Sequence, residues 1–247
     1  MAPEPQPEAE ADPRIGTLNE KPLHADLKAW YAEDGDRPEA RVDGFVVDLL
    51  RPRPGPASDA LLIEIQTGRL GAIRPKLERL LPRHPVRVVT PIPAEKWLVK
   101  LAPRNGTPQA RRKSPKRGTR ADAFREWVSI APLIGHPNLS LEVLLIQEEE
   151  VRRFDGRRGW RRRGWVIEER RLLGVLERHR VDSLAALRGL LPEGLPERFT
   201  TADLATALAM PRGLAQKMAY VMRESGAIHS LSRNRAGILY GCPPPER

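Results

Sequence analysis

Two short β-rich segments joined by a Pro/Gly-rich connection constrain the fold of this chain most. They are RVDGFVVDLL at residues 41–50 and ALLIEIQT at 60–67, and the run from Arg51 to Ser58 between them suits a hairpin loop. Alternate residues of a strand share a face, so Glu64 and Gln66 point to the same side. A carboxylate and an amide in an otherwise apolar strand are costly unless they are hydrogen-bonded or bind a metal.

Helical and strand-like segments alternate around this pair. The predicted helices are 15–34, with Leu23, Leu27, Trp30 and Tyr31 on one face, then 74–81 and 122–135. The predicted strands are 86–90, ended by Pro91-Ile92-Pro93, then 96–101 and 139–147. This alternation predicts an α/β fold with a mixed β-sheet flanked by helices.

Asp48 stands at the end of the first β-rich segment. If the two strands pair, its carboxylate approaches Glu64, and two carboxylates with a backbone carbonyl make an oxygen-rich site for Mg²⁺. Such an ion polarises a phosphodiester and lowers the pKa of an attacking water. The alternative is that Asp48 and Glu64 pair with arginines and stabilise a sheet edge.

On these residues the chain resembles the PD-(D/E)XK restriction-endonuclease-like nuclease superfamily. The matching residues are Asp48 in VDGFVVDLL and Glu64 with Gln66 in LLIEIQTG, and the resemblance covers about residues 15–101. It implies phosphodiester hydrolysis that depends on Mg²⁺ or Mn²⁺. It also implies that Asp48 and Glu64 are metal ligands, and that Glu20 on the preceding helix is a supporting or second-metal ligand.

One residue departs from the superfamily pattern. Lysine is usual at the position of Gln66, and an amide does not supply its positive charge. Lys76, on the following helix, could lend that charge if the helix packs over the site. The predicted catalytic residues are therefore Glu20, Asp48, Glu64, Gln66 and Lys76.

The charge distribution favours a polyanionic partner, which we expect to be DNA. The formal net charge is +10, and residues 100–120 carry eight basic residues and no acidic one. Prolines interrupt this run, so it is predicted to be a loop that borders the acidic site. The loop residues expected to contact nucleic acid are Arg111, Arg112, Lys113, Lys116 and Arg117.

The C-terminal part, residues 165–241, resembles a winged helix-turn-helix. Its predicted elements are helices at 166–179, 183–191, 202–210 and 214–225, followed by a polar-tipped hairpin at 227–241. In helix 214–225, Leu214, Met218, Val221 and Met222 are expected in the core. The DNA-facing residues are expected to be Arg212, Gln216, Lys217, Tyr220 and Arg223, with Arg233 and Arg235 at the hairpin tip.

The predicted organisation is thus a disordered acidic tail at 1–14, a nuclease-like domain at 15–164, a winged helix at 165–241 and a tail at 242–247. The single cysteine, Cys242, excludes an internal disulfide and a cysteine-based zinc cluster. Without an export signal or an apolar run long enough to span a membrane, the expected location is the cytoplasm.

Three functions are compatible with these features. The leading hypothesis is a metal-dependent DNA nuclease anchored by the winged helix, with a homodimer possible. A second is a catalytically inactive DNA-binding protein on the same fold, which Gln66 favours. The third is an assembly module in which both domains bind protein.

Overall fold

A mixed seven-stranded sheet forms the centre of the computed structural model, which describes residues 21–56, 59–102, 108–156, 164–234 and 237–243. The described strands run in the order β1-β2-β3-β4-β6-β7, with β5 paired to the far end of β4, and β8-β10-β9 form a second sheet. The strands are β1 Arg37–Val42, β2 Phe45–Arg51, β3 Leu61–Ile65, β4 Val86–Leu101, β5 Pro108–Lys113, β6 Leu139–Phe154, β7 Trp165–Val181, β8 Arg198–Phe199, β9 His229–Asn234 and β10 Gly237–Gly241. The α-helices are α1 Pro22–Tyr31, α2 Arg74–Leu80, α3 Phe124–Trp127, α4 Leu184–Arg188, α5 Thr201–Ala207 and α6 Arg212–Glu224.

Helices cover both faces of the large sheet. On one face α1 buries Leu23, Leu27 and Tyr31 against strand residues such as Ile63 and Leu144. On the other face α2, α3 and α6 pack over Leu62, Val86, Val88, Leu141 and Val143 in a second cluster. The predicted class, an α/β fold with a mixed sheet flanked by helices, is therefore confirmed.

The segment RVDGFVVDLL contains a hairpin turn and is not a single strand. Asp43 and Gly44 have φ values of 49° and 82°, and Val42 pairs with Phe45 across them. Two positive φ values in a two-residue loop are typical of a type I′ turn, for which Asp-Gly is a preferred sequence. The prediction was wrong at the start of this segment, and β1 was missed.

Strand β4 continues through the prolines that were predicted to end it. It pairs in parallel with β6 from Val86 to Lys100, whereas its pairing with β3 stops at Val89. Between Val89 and Trp97, where the pairing with β5 begins, the β3 side of β4 carries no ladder, so Pro91 and Pro93 lie where a missing N–H costs little. The two predicted strands 86–90 and 96–101 are thus one.

The basic segment 100–120 was predicted to be a loop throughout, and this was wrong over Pro108–Lys113. That stretch is β5, which pairs antiparallel with Trp97–Leu101 of β4. Residues 103–107 lie outside the described residues. Similarly, the helix predicted at 122–135 is a series of short turns, in which α3 lies between 3₁₀ turns at Arg120–Ala123 and Val128–Leu133.

The predicted helix at 166–179 is a strand. Strand β7 pairs antiparallel with β6 from Val181 opposite Leu141 to Trp165 opposite Phe154. Because β6 supplies hydrogen-bond partners along this whole length, pairing overrides the helical spacing of the apolar residues. The predicted domain boundary at 165 is wrong for the same reason, since the large sheet extends to Val181.

A compact C-terminal module follows the large sheet, with α4, the short β8, α5, α6 and the β9–β10 hairpin in that order. Thr200 caps α5, and its hydroxyl accepts the N–H groups of Ala202 and Asp203. The core residues predicted for the second helix, Leu214, Met218, Val221 and Met222, are all buried. The predicted tail at 1–14 and residues 244–247 of the predicted tail at 242–247 lie outside the described residues.

Candidate functional site

Asp48 lies at the point where β2 and β3 stop pairing. Leu49 opposite Ile63 is the last pair of that ladder, and beyond it Asp48 Oδ2 accepts the backbone N–H of Ile65 at 2.7 Å. The same oxygen lies 3.2 Å from Nε2 of His24 on α1. The Asp48 carboxylate thus accepts the Ile65 N–H in place of a carbonyl oxygen of a paired strand, and it connects the sheet to α1 through His24.

Glu64, on the neighbouring strand, is almost fully buried. Lys76 of α2 places its Nζ 2.5 Å from Glu64 Oε1 and also donates to the carbonyl oxygen of Val46. Burial, together with the negative charge of Asp48, raises the pKa of the Glu64 carboxyl from 4.5 to about 7, while Lys76 opposes both effects. The structure therefore places Asp48 and Glu64 on neighbouring strands, with Glu64 in contact with Lys76 of α2 and Asp48 in contact with His24 of α1, the helix on the opposite face of the sheet.

Gln66 follows the end of β3, on the same side of the strand as Glu64. Its backbone N–H donates to the carbonyl of Val89, and its side-chain oxygen accepts the N–H of Gly68. The amide lines a cleft of about 870 Å³ that is also lined by three of the predicted nucleic-acid residues. These are Arg112, Lys116 and Arg117.

The predicted metal ligands form a pair. Among the described residues, no group of three or more His, Cys, Asp or Glu side chains is close enough to hold a metal ion. The third predicted acid, Glu20, lies outside the described residues. Mg²⁺ is usually bound through one or two carboxylates and keeps several waters, so Asp48 and Glu64 are the described residues that could hold it. Lys76 balances one of the two negative charges, and a bound cation would oppose the burial and the Asp48 charge that together raise the pKa of Glu64.

Two of the predicted nucleic-acid residues lie on the opposite face of β5 from the cleft. Arg111 pairs with Glu149 at 2.7 Å, and Lys113 pairs with Glu95 at the same distance. Both cations also lie over the ring of Trp97. Alternation along β5 therefore divides the basic run between two surfaces.

On α6 the side chains predicted to face DNA lie away from the core. Gln216, Lys217 and Tyr220 are exposed, as are Arg212 at the start of the helix and Arg233 on β9. Arg223 is half-buried, stacks on Tyr220 and pairs with Glu224. Arg235 lies outside the described residues.

The sequence analysis missed a network of charges beside Gln66. Glu148 and Glu150 of β6 are buried, and Lys96 Nζ lies 2.5 Å from Glu148 and 3.1 Å from Glu150. Arg152 and Arg170 also approach Glu150, at 2.6 Å and 3.8 Å. The sequence signal was the run QEEEVRR, in which alternate glutamates share one face of a strand.

Comparison with known proteins identifies a protein family and a relative of this chain. A family model described as "Domain of unknown function (DUF8091)" matches residues 21–182, which ends one residue after β7. A protein of Treponema pallidum (strain Nichols), named "Uncharacterized protein", is 32% identical over 191 residues, covering 77% of this chain and 73% of the relative. No solved structure matches the chain. Within the described residues, no helix has the length and apolar character needed to cross a membrane. Since the family model matches about two thirds of the length of the chain, the chain belongs to the DUF8091 family.

Proposed function

We propose that this protein is a metal-dependent nuclease of the PD-(D/E)XK kind that hydrolyses phosphodiester bonds in DNA. The observation that carries the proposal is the arrangement of Asp48, Glu64 and Lys76. Two carboxylates from neighbouring strands lie close enough for one to raise the pKa of the other, and a lysine from the next helix contacts one of them. Two acidic side chains and one cation would thus be available where β2 and β3 stop pairing, with Asp48 beside His24 of α1 and Glu64 beside Lys76 of α2.

The order of elements supports the resemblance. From α1 through β1, β2, β3 and α2 to β4, the chain has the helix, hairpin, acidic strand, helix and strand on which the resemblance rests. Lys76 would also supply the positive charge that Gln66 lacks, because it brings an ammonium group to Glu64 from α2. In the superfamily a lysine usually stands two residues after the acidic residue of this strand. In this chain the same positive charge would come from Lys76 on α2.

Each residue has a distinct role in this proposal. Asp48 and Glu64 would hold Mg²⁺, which when bound polarises the phosphodiester and activates water. The Ile65 N–H fixes the Asp48 carboxylate, so its orientation does not depend on the ligand. Lys76 would stabilise negative charge that develops on the phosphate, and the Gln66 amide would donate to a phosphate oxygen from the cleft side. Since metal binding requires ionised carboxylates, protons compete with the metal at Glu64 near neutral pH.

The C-terminal module supports an additional contact with duplex DNA. Its order of helix, short strand, two helices and hairpin is compatible with the winged helix that the sequence resemblance implies, in which α6 would be the recognition helix. Lys217 and Arg233 are exposed cations on α6 and β9, where they can reach phosphates. We propose that this module anchors the protein to DNA while the sheet carries the chemistry.

The test is a cleavage assay on plasmid, branched and single-stranded DNA with Mg²⁺ or Mn²⁺. We expect cleavage that EDTA and the Asp48→Asn substitution both abolish. The exposed Asp43→Asn variant, in the nearby hairpin turn, serves as the matched control and should cleave like the parent. Cleavage that survives in Asp48→Asn would contradict the proposal.

A second candidate is an inactive DNA-binding protein on the same fold. The observation in its favour is that the Lys76 ammonium already contacts Glu64, so a built-in cation can stand in for a metal. This candidate predicts DNA binding without cleavage and no stabilisation of the fold by Mg²⁺. The nuclease proposal predicts Mg²⁺ stabilisation that Glu64→Gln removes, so a urea titration with and without Mg²⁺ separates the two.

A further inference from the structure

The cleft beside Gln66 exists because neighbouring strands differ in length. Strand β3 ends at Ile65, which pairs with Val89, whereas β4 and β6 continue to Leu101 and Phe154. The cleft of about 870 Å³ lies in the step that this difference leaves. Ligands of open α/β sheets commonly bind beyond the carboxyl ends of the strands, and this cleft has that position relative to β3.

Several segments of the chain line the cleft. The long strands β4 and β6 form one wall, which includes Leu98 and Arg152. The segment 114–118 forms the second, held by hydrogen bonds from Ser114 N to the Lys96 carbonyl and from Gly118 N to the Pro93 carbonyl. The turn around α3 and residues 66–68 complete the lining.

Cations dominate the lining of this cleft. It carries seven basic side chains and three acidic ones, a net charge of +4, and two of these cations also pair with carboxylates outside the lining, Lys96 with Glu148 and Arg117 with Glu95. Moreover, the buried Glu150 contacts three of the cations, so they are held in place before any ligand arrives. The basic residues are Lys96, Arg112, Lys116, Arg117, Arg125, Arg152 and Arg170, and the acidic ones are Asp122, Glu126 and Glu150.

The described lining contains no aromatic side chain. Single-stranded nucleic acids are usually held by cations along the backbone together with aromatic rings that stack on the bases. A lining of cations, prolines and aliphatic residues supplies the first kind of contact and lacks the second. The ligand that this chemistry selects is therefore a phosphate backbone, read without regard to base sequence.

We infer that the cleft binds the backbone of a single DNA strand where it passes Gln66, two residues along the chain from Glu64. The volume is that of sites for small ligands, roughly 300–1,000 Å³. A volume of about 870 Å³ corresponds to a space about 10 Å across, which is smaller than a duplex whose major groove alone is about 12 Å wide. The inference rests on the proposed function for the choice of DNA, and it names the form of DNA that reaches the site.

Side chains alternate between the two faces of β5 and β7, so adjacent arginines on these strands provide a test variant and a matched control. Arg112 and Arg170 line the cleft, while their neighbours Arg111 and Arg171 pair with Glu149 and Glu169 and are absent from the lining. The double variants Arg112→Ala/Arg170→Ala and Arg111→Ala/Arg171→Ala remove the same charge from the same strands. Any difference between them reports the surface that contacts the ligand.

The measurement is fluorescence anisotropy with a labelled oligothymidylate of about twelve nucleotides, in EDTA so that no cleavage occurs. We expect the cleft variant to bind about tenfold more weakly than the parent, or about 1.4 kcal/mol. Its logarithmic salt slope should fall by about 1.4, because each phosphate that a cation no longer neutralises reduces the slope by about 0.7. The control variant should stay within about twofold, and Arg112→Lys/Arg170→Lys should largely restore binding because it keeps both charges.

Duplex DNA of the same length provides the second arm. Binding of the duplex should be equal in the parent and the cleft variant, since the cleft excludes it. Equal weakening in the cleft and control variants, or equal weakening for single strand and duplex, would overturn the inference. Because the assay contains no metal, its result is independent of whether the protein cleaves DNA.

Discussion

The carboxylate of Asp48 accepts the backbone N–H of Ile65 at 2.7 Å, just beyond the last pair between β2 and β3. The contact has two consequences. It satisfies a backbone donor that the departing strand leaves without a carbonyl partner. It also holds a negative charge beside Glu64, which contributes to the raised pKa of that carboxyl.

Two substitutions at Asp48 separate its structural role from its chemical role. Asp48→Asn keeps an oxygen that can accept the Ile65 N–H, so the free energy of unfolding should change little. Asp48→Ala leaves that donor without its partner and should lower the free energy of unfolding by about 1–3 kcal/mol. Both should abolish Mg²⁺-dependent cleavage, while DNA binding in EDTA stays close to that of the parent. Urea unfolding and cleavage of one plasmid substrate test these expectations, and cleavage by Asp48→Asn would contradict them.

Glu64 should make the metal-free protein less stable as the pH rises from about 4.5 to about 7. In this window the folded carboxyl keeps its proton while the unfolded one releases it, so the folded state binds more protons. Stability contributed by the neutral form is therefore present below about pH 4.5 and lost as the pH passes 7. With a pKa raised from 4.5 to about 7, the loss is on the order of 3 kcal/mol.

The measurement for this prediction is urea unfolding of the parent and of Glu64→Gln at pH 5 and pH 8. The difference in unfolding free energy should move in favour of Glu64→Gln at the higher pH. Glu78→Gln on α2 is the control, because Glu78 is an exposed partner of Arg74 and its removal should give no such change. A difference between parent and Glu64→Gln that does not vary with pH would show that Glu64 is ionised throughout.

Lys76 should be needed for cleavage, and a lysine at position 66 should replace it. Lys76→Met removes the only cation that the structure places on Glu64 among the described residues, and we expect about a 10²–10³-fold loss of rate. Adding Gln66→Lys restores a positive charge from β3 and should recover a large part of that loss. Arg79→Ala, an exposed change on the same helix, should leave the rate unchanged. Failure of the double variant to recover activity would show that the role of Lys76 is to pack α2 onto the sheet.

The approach of Asp48 to Glu64 was predictable because it follows from local rules. Hairpin order and alternation along a strand place Asp48 and Glu64 on neighbouring strands, and a helix directly after β3 can return Lys76 to the same point. The Asp43-Gly44 turn carried an equally local signal that the sequence analysis overlooked. Short-range patterns thus account for the acidic pair and its lysine.

The cleft was not predictable in the same way, because it depends on partners that are distant along the chain. The apolar spacing of residues 166–179 is compatible with a helix, and the strand forms because β6 lies beside it. That pairing brings Arg170 to Glu150, and β5 brings Arg112 to the same surface. A single sequence shows the charges of this cleft but not the register that gathers them.

The C-terminal module should contribute salt-dependent affinity for duplex DNA independently of the acidic pair. Lys217→Ala with Arg233→Ala removes two exposed cations from α6 and β9. If both contact phosphates, the logarithmic salt slope of duplex binding should fall by about two, at about one for each contact. Cleavage of DNA at saturating concentration should be unchanged, because Asp48 and Glu64 lie on the large sheet.

Arg188→Ala with Arg198→Ala is the control, since it removes the same charge from α4 and β8 and should leave the salt slope close to that of the parent. The physical reason is that α6 and β9 would lie against the duplex, while the control pair lies on other elements of the module. Equal slopes in the two double variants would mean that α6 is not the DNA-binding surface and would favour a protein partner for this module.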